Sequence, residues 1–157
     1  MLNRISSTLI SSLNFCSIAN PKFLKLGDTL KKTRVFTNDD VLDYSKVSHD
    51  LNSVHFDAEF ARNAGFDDRI VHGMLVASIF PCIIATHFLG AVYISQNLQF
   101  KQPVYIGDEI SGEVQVTTMR DFKKKHLVKF STRCFKQASL LVLDGEATAI
   151  LPTIHLQ

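Results

Sequence analysis

The stretch that decides the fold is Ile70-Val71-His72-Gly73-Met74-Leu75-Val76-Ala77-Ser78-Ile79-Phe80-Pro81-Cys82-Ile83-Ile84-Ala85-Thr86-His87-Phe88-Leu89-Gly90. No formal charge lies between Arg69 and Lys101. A helix apolar on every side is either buried in protein or set in a membrane, and the run from Gly73 to Gly90, about 17 residues, sits at the lower edge for spanning. The sequence that follows decides between them. Val92, Ile94, Leu98 and Phe100 alternate with Tyr93, Ser95, Asn97 and Gln99, the period of a half-buried antiparallel strand, with Gln96 as the one break. Gly107-Asp108 marks a turn, Ile110 to Thr118 a second strand with Val114 and Val116 on one face, and Lys123-Lys124-Lys125 a polar turn. Strands over 126–137 and 140–151 follow, divided at Ala138-Ser139, with a kink expected at Asp144-Gly145. One long helix from Gly73, kinked at Pro81, followed by an antiparallel sheet that wraps it completely, is an α+β arrangement. It buries the helix in protein and predicts no membrane insertion.

Working outward toward the N-terminus, Thr37 and Asp40 form a capping box ahead of a helix over about 38–47. Asp57 caps a second short helix that Gly65 ends. Residues 1–27 hold Arg4, Lys22 and Lys25 but no carboxylate, with Ser6, Ser7, Ser11, Ser12 and Ser17 between spaced apolar residues. That basic, Ser-rich, amphipathic pattern reads as an organelle transit segment, assigned to 1–25 with a mitochondrial matrix address, and leaves 26–157 as one domain. The serine pairs interrupt every apolar run, which excludes a secretory signal.

The 157 residues, 46% hydrophobic and 20% charged, fit one globular domain and exclude disorder. A formal charge of +2 lacks the concentrated basic surface that nucleic acid requires. Cys16, Cys82 and Cys134 are odd in number and match no ligand or redox spacing, so no disulfide is expected and Cys82 and Cys134 read as small buried hydrophobes. No phosphate loop, G-x-S-x-G, H-E-x-x-H or calcium loop occurs.

The densest polar cluster is Tyr44-Ser45-Lys46-Val47-Ser48-His49-Asp50-Leu51-Asn52-Ser53-Val54-His55. Two readings stand for it. Asp50 and His55 face one bound substrate and exchange protons with it, or Asp50 and Asn52 bond their own turn and His55 is a surface or satisfied core residue. His72-Gly73 opens the apolar helix, where unpaired N–H groups favour developing negative charge on an oxygen. Together these features point to proton chemistry beside a carbonyl. Ser78 either bonds across to the Asp50 loop or bonds a preceding helical carbonyl. A metal set of His49, His55 and His72 is open by residue type, but no tight ligand spacing supports it and no metal is expected.

The residues Asp50, Asn52, Val54 and His55 resemble the hydratase motif of the MaoC-like (R)-specific enoyl-thioester hydratases and dehydratases, which reads glycine, aspartate, any residue, asparagine, proline, apolar, histidine. His49 stands for the glycine and Ser53 for the proline. The resemblance continues through Ile70 to Leu75 with Ser78, and through Phe100, Pro103-Val104 and Gly107-Asp108. It implies a hot-dog fold and a homodimer whose paired sheets form the substrate tunnel. The implied substrates are acyl thioesters on the phosphopantetheine of acyl carrier protein or coenzyme A. The implied activity is that of a hydro-lyase: reversible dehydration of (3R)-hydroxyacyl thioesters to trans-2-enoyl thioesters, in fatty-acid synthesis, with no metal or redox cofactor. Carried over, Asp50 and His55 form the acid/base pair, the Gly73 N–H holds the thioester oxygen with Asn52 and His72 beside the substrate, and Ser78 supports the loop. The alternatives are an (R)-specific enoyl-CoA hydratase, a hot-dog thioesterase and a non-catalytic acyl-thioester-binding subunit. Lys123-Lys124-Lys125 with Arg120 reads as a solvated turn or as an attractor of an acidic carrier.

Overall fold

The computed structural model describes residues 23–137, 139–152 and 155–156. The transit-like segment falls outside the described residues apart from 23–25. Strand β1 (Phe23–Leu24) leads to β2 (Thr29–Val35) and to α1 (Asn38–Ser48). The capping box is formed as the sequence predicts. The Asp40 N–H donates to Thr37 Oγ1 at 3.1 Å and the Thr37 N–H donates to Asp40 Oδ2 at 2.8 Å. Burial acts against ionising Asp40, but the Thr37 bonds and the Arg34 guanidinium, 2.6 Å away, hold its pKa below the usual carboxylate value. A 3₁₀ turn (Ser53–His55) and α2 (Ala58–Asn63) follow, the latter capped by Asp57 Oδ1 from the Glu59 and Phe60 N–H groups at 2.8 and 3.0 Å.

The apolar stretch forms two helices, α3 (Gly73–Ala77) and α4 (Ile79–His87), and the break falls at Ser78. Pro81 explains it. Its ring crowds the carbonyl four residues back, at Ala77, and its missing N–H is harmless in a first turn. Helix α4 packs on the five-stranded antiparallel sheet, ordered β2-β4-β5-β6-β3, where β3 is Val92–Phe100, β4 Glu109–Phe122, β5 Lys125–Lys136 and β6 Leu140–Leu151. A two-residue β7 (His155–Leu156) pairs in parallel with β1. No helix among the described residues is long and apolar enough to cross a membrane.

Ile79, Phe80, Ile83 and Ile84 of α4 are buried beneath Ile110, Val114, Val128 and Phe130 of the sheet. Each such side chain contributes about 1.5–3 kcal/mol. Gly112 of β4 lets the helix approach, since a β-carbon there would lie 2.8 Å from Ile79. The wrapping is not complete within one chain. Cys82 and Ala85 face outward, so Cys82 is exposed, against the sequence expectation, with Lys32 Nζ 3.2 Å from its sulfur. Cys134 is buried as expected, and desolvation pushes its thiol up to about 12.

Strand β3 departs from its expected facing. A bulge between Tyr93 and Ser95 shifts its parity, so Tyr93, Gln96 and Leu98 turn toward the core while Val92 and Ile94 are about half exposed; Phe100, at the strand end, is half exposed over Gly73. Gln96, the break in the alternation, donates from Nε2 to Thr132 Oγ1 and Glu146 O, both at 3.1 Å, and accepts from the Tyr93 hydroxyl. Burial raises that hydroxyl to about 12. Nor does β6 lose register at Asp144-Gly145; its irregularity with β5 lies at Cys134/Phe135. Gly145 instead lets β6 and β3 approach closely, because a β-carbon there would fall 2.0 Å from the Asn97 carbonyl oxygen.

Candidate active site

Helix α1 ends in a residue of left-handed conformation, His49 at φ 58° and ψ 18°, whose N–H donates to Ser45 O at 2.9 Å. That reversal aims the polar loop back over the helix. Asp50 Oδ1 accepts the Asn52 N–H at 3.2 Å, and Asn52 Oδ1 accepts the Val54 N–H at 3.3 Å and starts the 3₁₀ turn. Asn52 thus acts as a turn cap on the exposed side of the loop, and does not line the cavity described below. Asp50 does both things the sequence left open: one oxygen holds the turn, and Oδ2 faces His55 Nε2 at 3.8 Å.

His55 sits 7% exposed at the end of the 3₁₀ turn. Its Nδ1 lies 2.8 Å from the Ile70 carbonyl oxygen, so the neutral ring carries its hydrogen on Nδ1 and a lone pair on Nε2, toward Asp50. The ring stacks on His72 with centroids 3.7 Å apart and planes at 26°. His72 Nε2 donates to the Asp50 main-chain oxygen at 3.1 Å. Desolvation, aided by the neighbouring His55, outweighs the bond to the Asp50 main chain and lowers the His72 pKa below the ordinary histidine value; its buried Nδ1 has no hydrogen-bond partner.

A cavity of about 510 Å³ opens beside this cluster. Asp50, His72 and Gly73 line it, Lys101 and Gln102 add further polar groups, and Tyr44, Phe66, Val76, Val104 and Leu143 are among its apolar lining. Phe100 closes over Gly73, where a β-carbon would meet the ring at 2.6 Å. An apolar chamber with a carboxylate, an imidazole and a helix start along one wall is suited to a chain that carries one polar reacting group.

The structure therefore brings together Asp50 and His55 of one loop with His72 and Gly73 of a second segment. It does not bring Ser78 to them. The Ser78 hydroxyl donates to Leu75 O at 2.6 Å, the local alternative the sequence offered, because the start of α4 leaves that carbonyl within its reach. His49 points to solvent, apart from the proposed metal set. Ligand atoms of Asp50, His55 and His72 do lie within 4.8 Å of one another. The two imidazoles, however, are stacked, so their lone pairs lie in nearly parallel planes, where one ion cannot sit in the plane of both rings at the roughly 2.0–2.1 Å of a zinc–nitrogen bond. The lysine turn lies at the opposite end of the sheet: nine residues of β5, roughly 30 Å, separate Lys125 from Cys134, the partner of Leu143.

Sequence reasoning assigned no role to Tyr44, whose ring lies 5.0 Å from that of His72, or to the Ile70 carbonyl. A main-chain acceptor leaves no side-chain signal. Tyr44 did stand in the quoted cluster, at the helical spacing that puts it on the face of α1 toward the loop.

A family model described as a MaoC like domain matches residues 24–136. The chain is 58% identical to the protein named mitochondrial 3-hydroxyacyl-[acyl-carrier-protein] dehydratase from Arabidopsis thaliana, over 91% of this chain and 87% of that one. It is 37% identical to the (R)-specific enoyl-CoA hydratase of Aeromonas caviae, over 82% of this chain and 96% of that one. The solved structure of the A. caviae (R)-hydratase involved in PHA biosynthesis is similar at a TM-score of 0.77 and 37% identity, over 82% of this chain and 98% of that one.

Proposed function

The chain belongs to the MaoC-like family and has its hot-dog fold, and on that premise we propose that it is a hydro-lyase interconverting (3R)-hydroxyacyl and trans-2-enoyl thioesters. The observation that carries this reading is His55, its tautomer fixed by the Ile70 carbonyl and its Nε2 lone pair 3.8 Å from Asp50 Oδ2, beside the cavity wall that ends at Gly73. The thioester oxygen lies against the Gly73 N–H, which stabilises enolate-like charge and acidifies C2. His55 Nε2 takes the C2 proton, the C3–O bond breaks, and the imidazolium returns that proton to the departing hydroxyl, which leaves as water. Asp50 holds the hydroxyl and balances the imidazolium charge. Every atom exchanged belongs to substrate, water or these side chains, so the chemistry calls for no metal or redox group.

The preferred setting is mitochondrial fatty-acid synthesis on acyl carrier protein. Two features support it: the 58% identity to a protein named for that carrier and that organelle, and the acid-free, Ser-rich residues 1–25 as a matrix address. The 37% identity to an enoyl-CoA hydratase keeps coenzyme A as the second carrier. The half-exposed Val92, Ile94 and Phe100 on edge strand β3 favour a second copy of the chain there, completing the cavity mouth.

The test mixes purified protein with crotonyl-CoA and follows loss of the enoyl-thioester absorbance and the configuration of the product. Formation of the (3R)-hydroxy thioester, with higher kcat/KM on the carrier-protein thioester, is expected. Free thiol without hydration identifies a thioesterase; binding without turnover on either carrier identifies a non-catalytic subunit.

A further inference from the structure

One side chain touches both members of the acid/base pair without using either of their reactive atoms. His72 is 2% exposed. Its Nε2–H holds the Asp50 main-chain oxygen at 3.1 Å, and its face lies on the His55 ring at 3.7 Å. The other hydrogen bonds of Asp50 are local, from its N–H to Ser48 Oγ at 3.2 Å and from the Asn52 N–H to its carboxylate at 3.2 Å. They shape the loop but do not locate it on the rest of the fold. His72 is also bonded covalently to Gly73, so one residue joins the proton-moving loop to the seat of the thioester oxygen.

We infer that His72 is a positioning residue that sets the Asp50–His55 geometry over Gly73, acting through those residues and not on the substrate. The inference rests on the hydro-lyase reading above and deepens it. The groups facing the ring fit the role. Tyr44 packs at 5.0 Å and Phe56 at 6.0 Å, so two aromatic rings flank the imidazole, which borders the cavity, and Asp50 and His55 are the titratable partners it meets. Its buried Nδ1 has no partner. A ring kept neutral by these surroundings lets His55 accept a proton with no second cation stacked against it.

Two substitutions in the full-length protein separate the two contacts. His72→Gln keeps an N–H donor near the Nε2 position and loses the ring; His72→Phe keeps the ring and loses the donor. On crotonyl-CoA, His72→Phe is expected to lower kcat about 100-fold, the scale of a 1 Å misplacement of reacting groups. KM should stay within about twofold. His72→Gln should restore about tenfold of that loss, since the loop is again tied down. In His72→Gln the His55 Cε1 proton resonance should also lose the ring-current shift that stacking imposes, a signature readable even if His72→Phe fails to fold. A rise in KM with kcat unchanged would make His72 a substrate contact and overturn the role, as would kcat within twofold of wild type in both variants. Wild-type protein inactive on both coenzyme A and carrier-protein thioesters overturns the hydro-lyase reading itself, and the role with it.

Discussion

Among the described residues two buried histidines each face a carboxylate, and the closer pair is not at the cavity. His126, 9% exposed, has Nδ1 at 3.2 Å from Asp121 Oδ1, while His55, 7% exposed, keeps 3.8 Å from Asp50. The difference lies in what surrounds each pair. Asp121 and His126 are direct cross-strand partners in the β4–β5 hairpin, so local register alone brings them together, and their contact lacks hydrogen-bond alignment. Asp121 is 82% exposed and water screens the pair. Asp50 and His55 instead meet on a loop pinned from two remote points, Ile70 and His72, beside a cavity. Proximity of an acid and a base is common in proteins. A fixed tautomer, an adjoining apolar cavity and room for a substrate distinguish the pair that can do chemistry.

The sharpest way to break this contrast is to disable each pair and compare turnover. Asp50→Asn and His55→Ala should each lower kcat by about two orders of magnitude or more, the contribution of a positioned acid or base. Asp121→Asn should leave it within about twofold. Comparable losses from Asp50→Asn and Asp121→Asn, in folded proteins, would mean that the hairpin pair serves the reaction.

The next effect separates the pairs by pH. Desolvation, with His55 alongside, keeps the folded-state pKa of His72 below the ordinary value of about 6.5. As pH falls below 6.5, the unfolded chain takes up a proton at this position that the folded chain refuses, so stability drops, by up to about 1.4 kcal/mol per pH unit. Urea unfolding from pH 7.5 to 5.5 should show a shallower loss in His72→Gln than in wild type. Equal slopes would show that the ring takes a proton in place.

A smaller effect concerns what carries each carboxylate. Asp50 rides on the end of α1, whose start is fixed by the Thr37–Asp40 capping box. Thr37→Ala should cost about 1 kcal/mol in urea unfolding, against less than about 0.5 kcal/mol for Asp121→Ala. A larger loss at Asp121 would make the hairpin pair a structural clamp.

Legibility followed the range of the interaction. The caps of α1 and α2 and the strand periods are local, and they were readable from Thr37, Asp57 and the alternating residues. The pairing of Asp50 with His55 was readable only as one of two options, since five residues can turn back on themselves or run extended over roughly 17 Å. What escaped was decided by contacts distant in sequence or by main chain. The Ile70 carbonyl fixes His55 from fifteen residues away. The bulge beside Ile94 turned apolar residues of β3 outward although the sequence alternates. Cys82 looked buried because every neighbour is apolar, yet the sheet covers only one side of α4. Ser53, in place of the motif's proline, occupies the first position of the 3₁₀ turn, where the fixed φ of proline also fits, so the exchange leaves the turn intact.

The smallest expected effect sits at the junction of helix and loop. His49 holds φ at 58° in the left-handed region, where a β-carbon costs about 1 kcal/mol relative to glycine. The motif's glycine at this position would relieve that strain, while adding freedom to the unfolded chain worth about 0.4–1 kcal/mol in the opposite sense. His49→Gly should therefore stabilise the protein by about 0.5 kcal/mol at most, with turnover within twofold, because the side chain points to solvent and the N–H bond to Ser45 is kept. His49→Val, with a branched β-carbon that resists this conformation, should destabilise by about 1–2 kcal/mol and slow turnover as the loop shifts. If glycine instead abolishes turnover while raising stability, the His49 imidazole serves the reaction, and the contrast between a pinned pair and a screened one would have to admit a third, solvent-facing histidine.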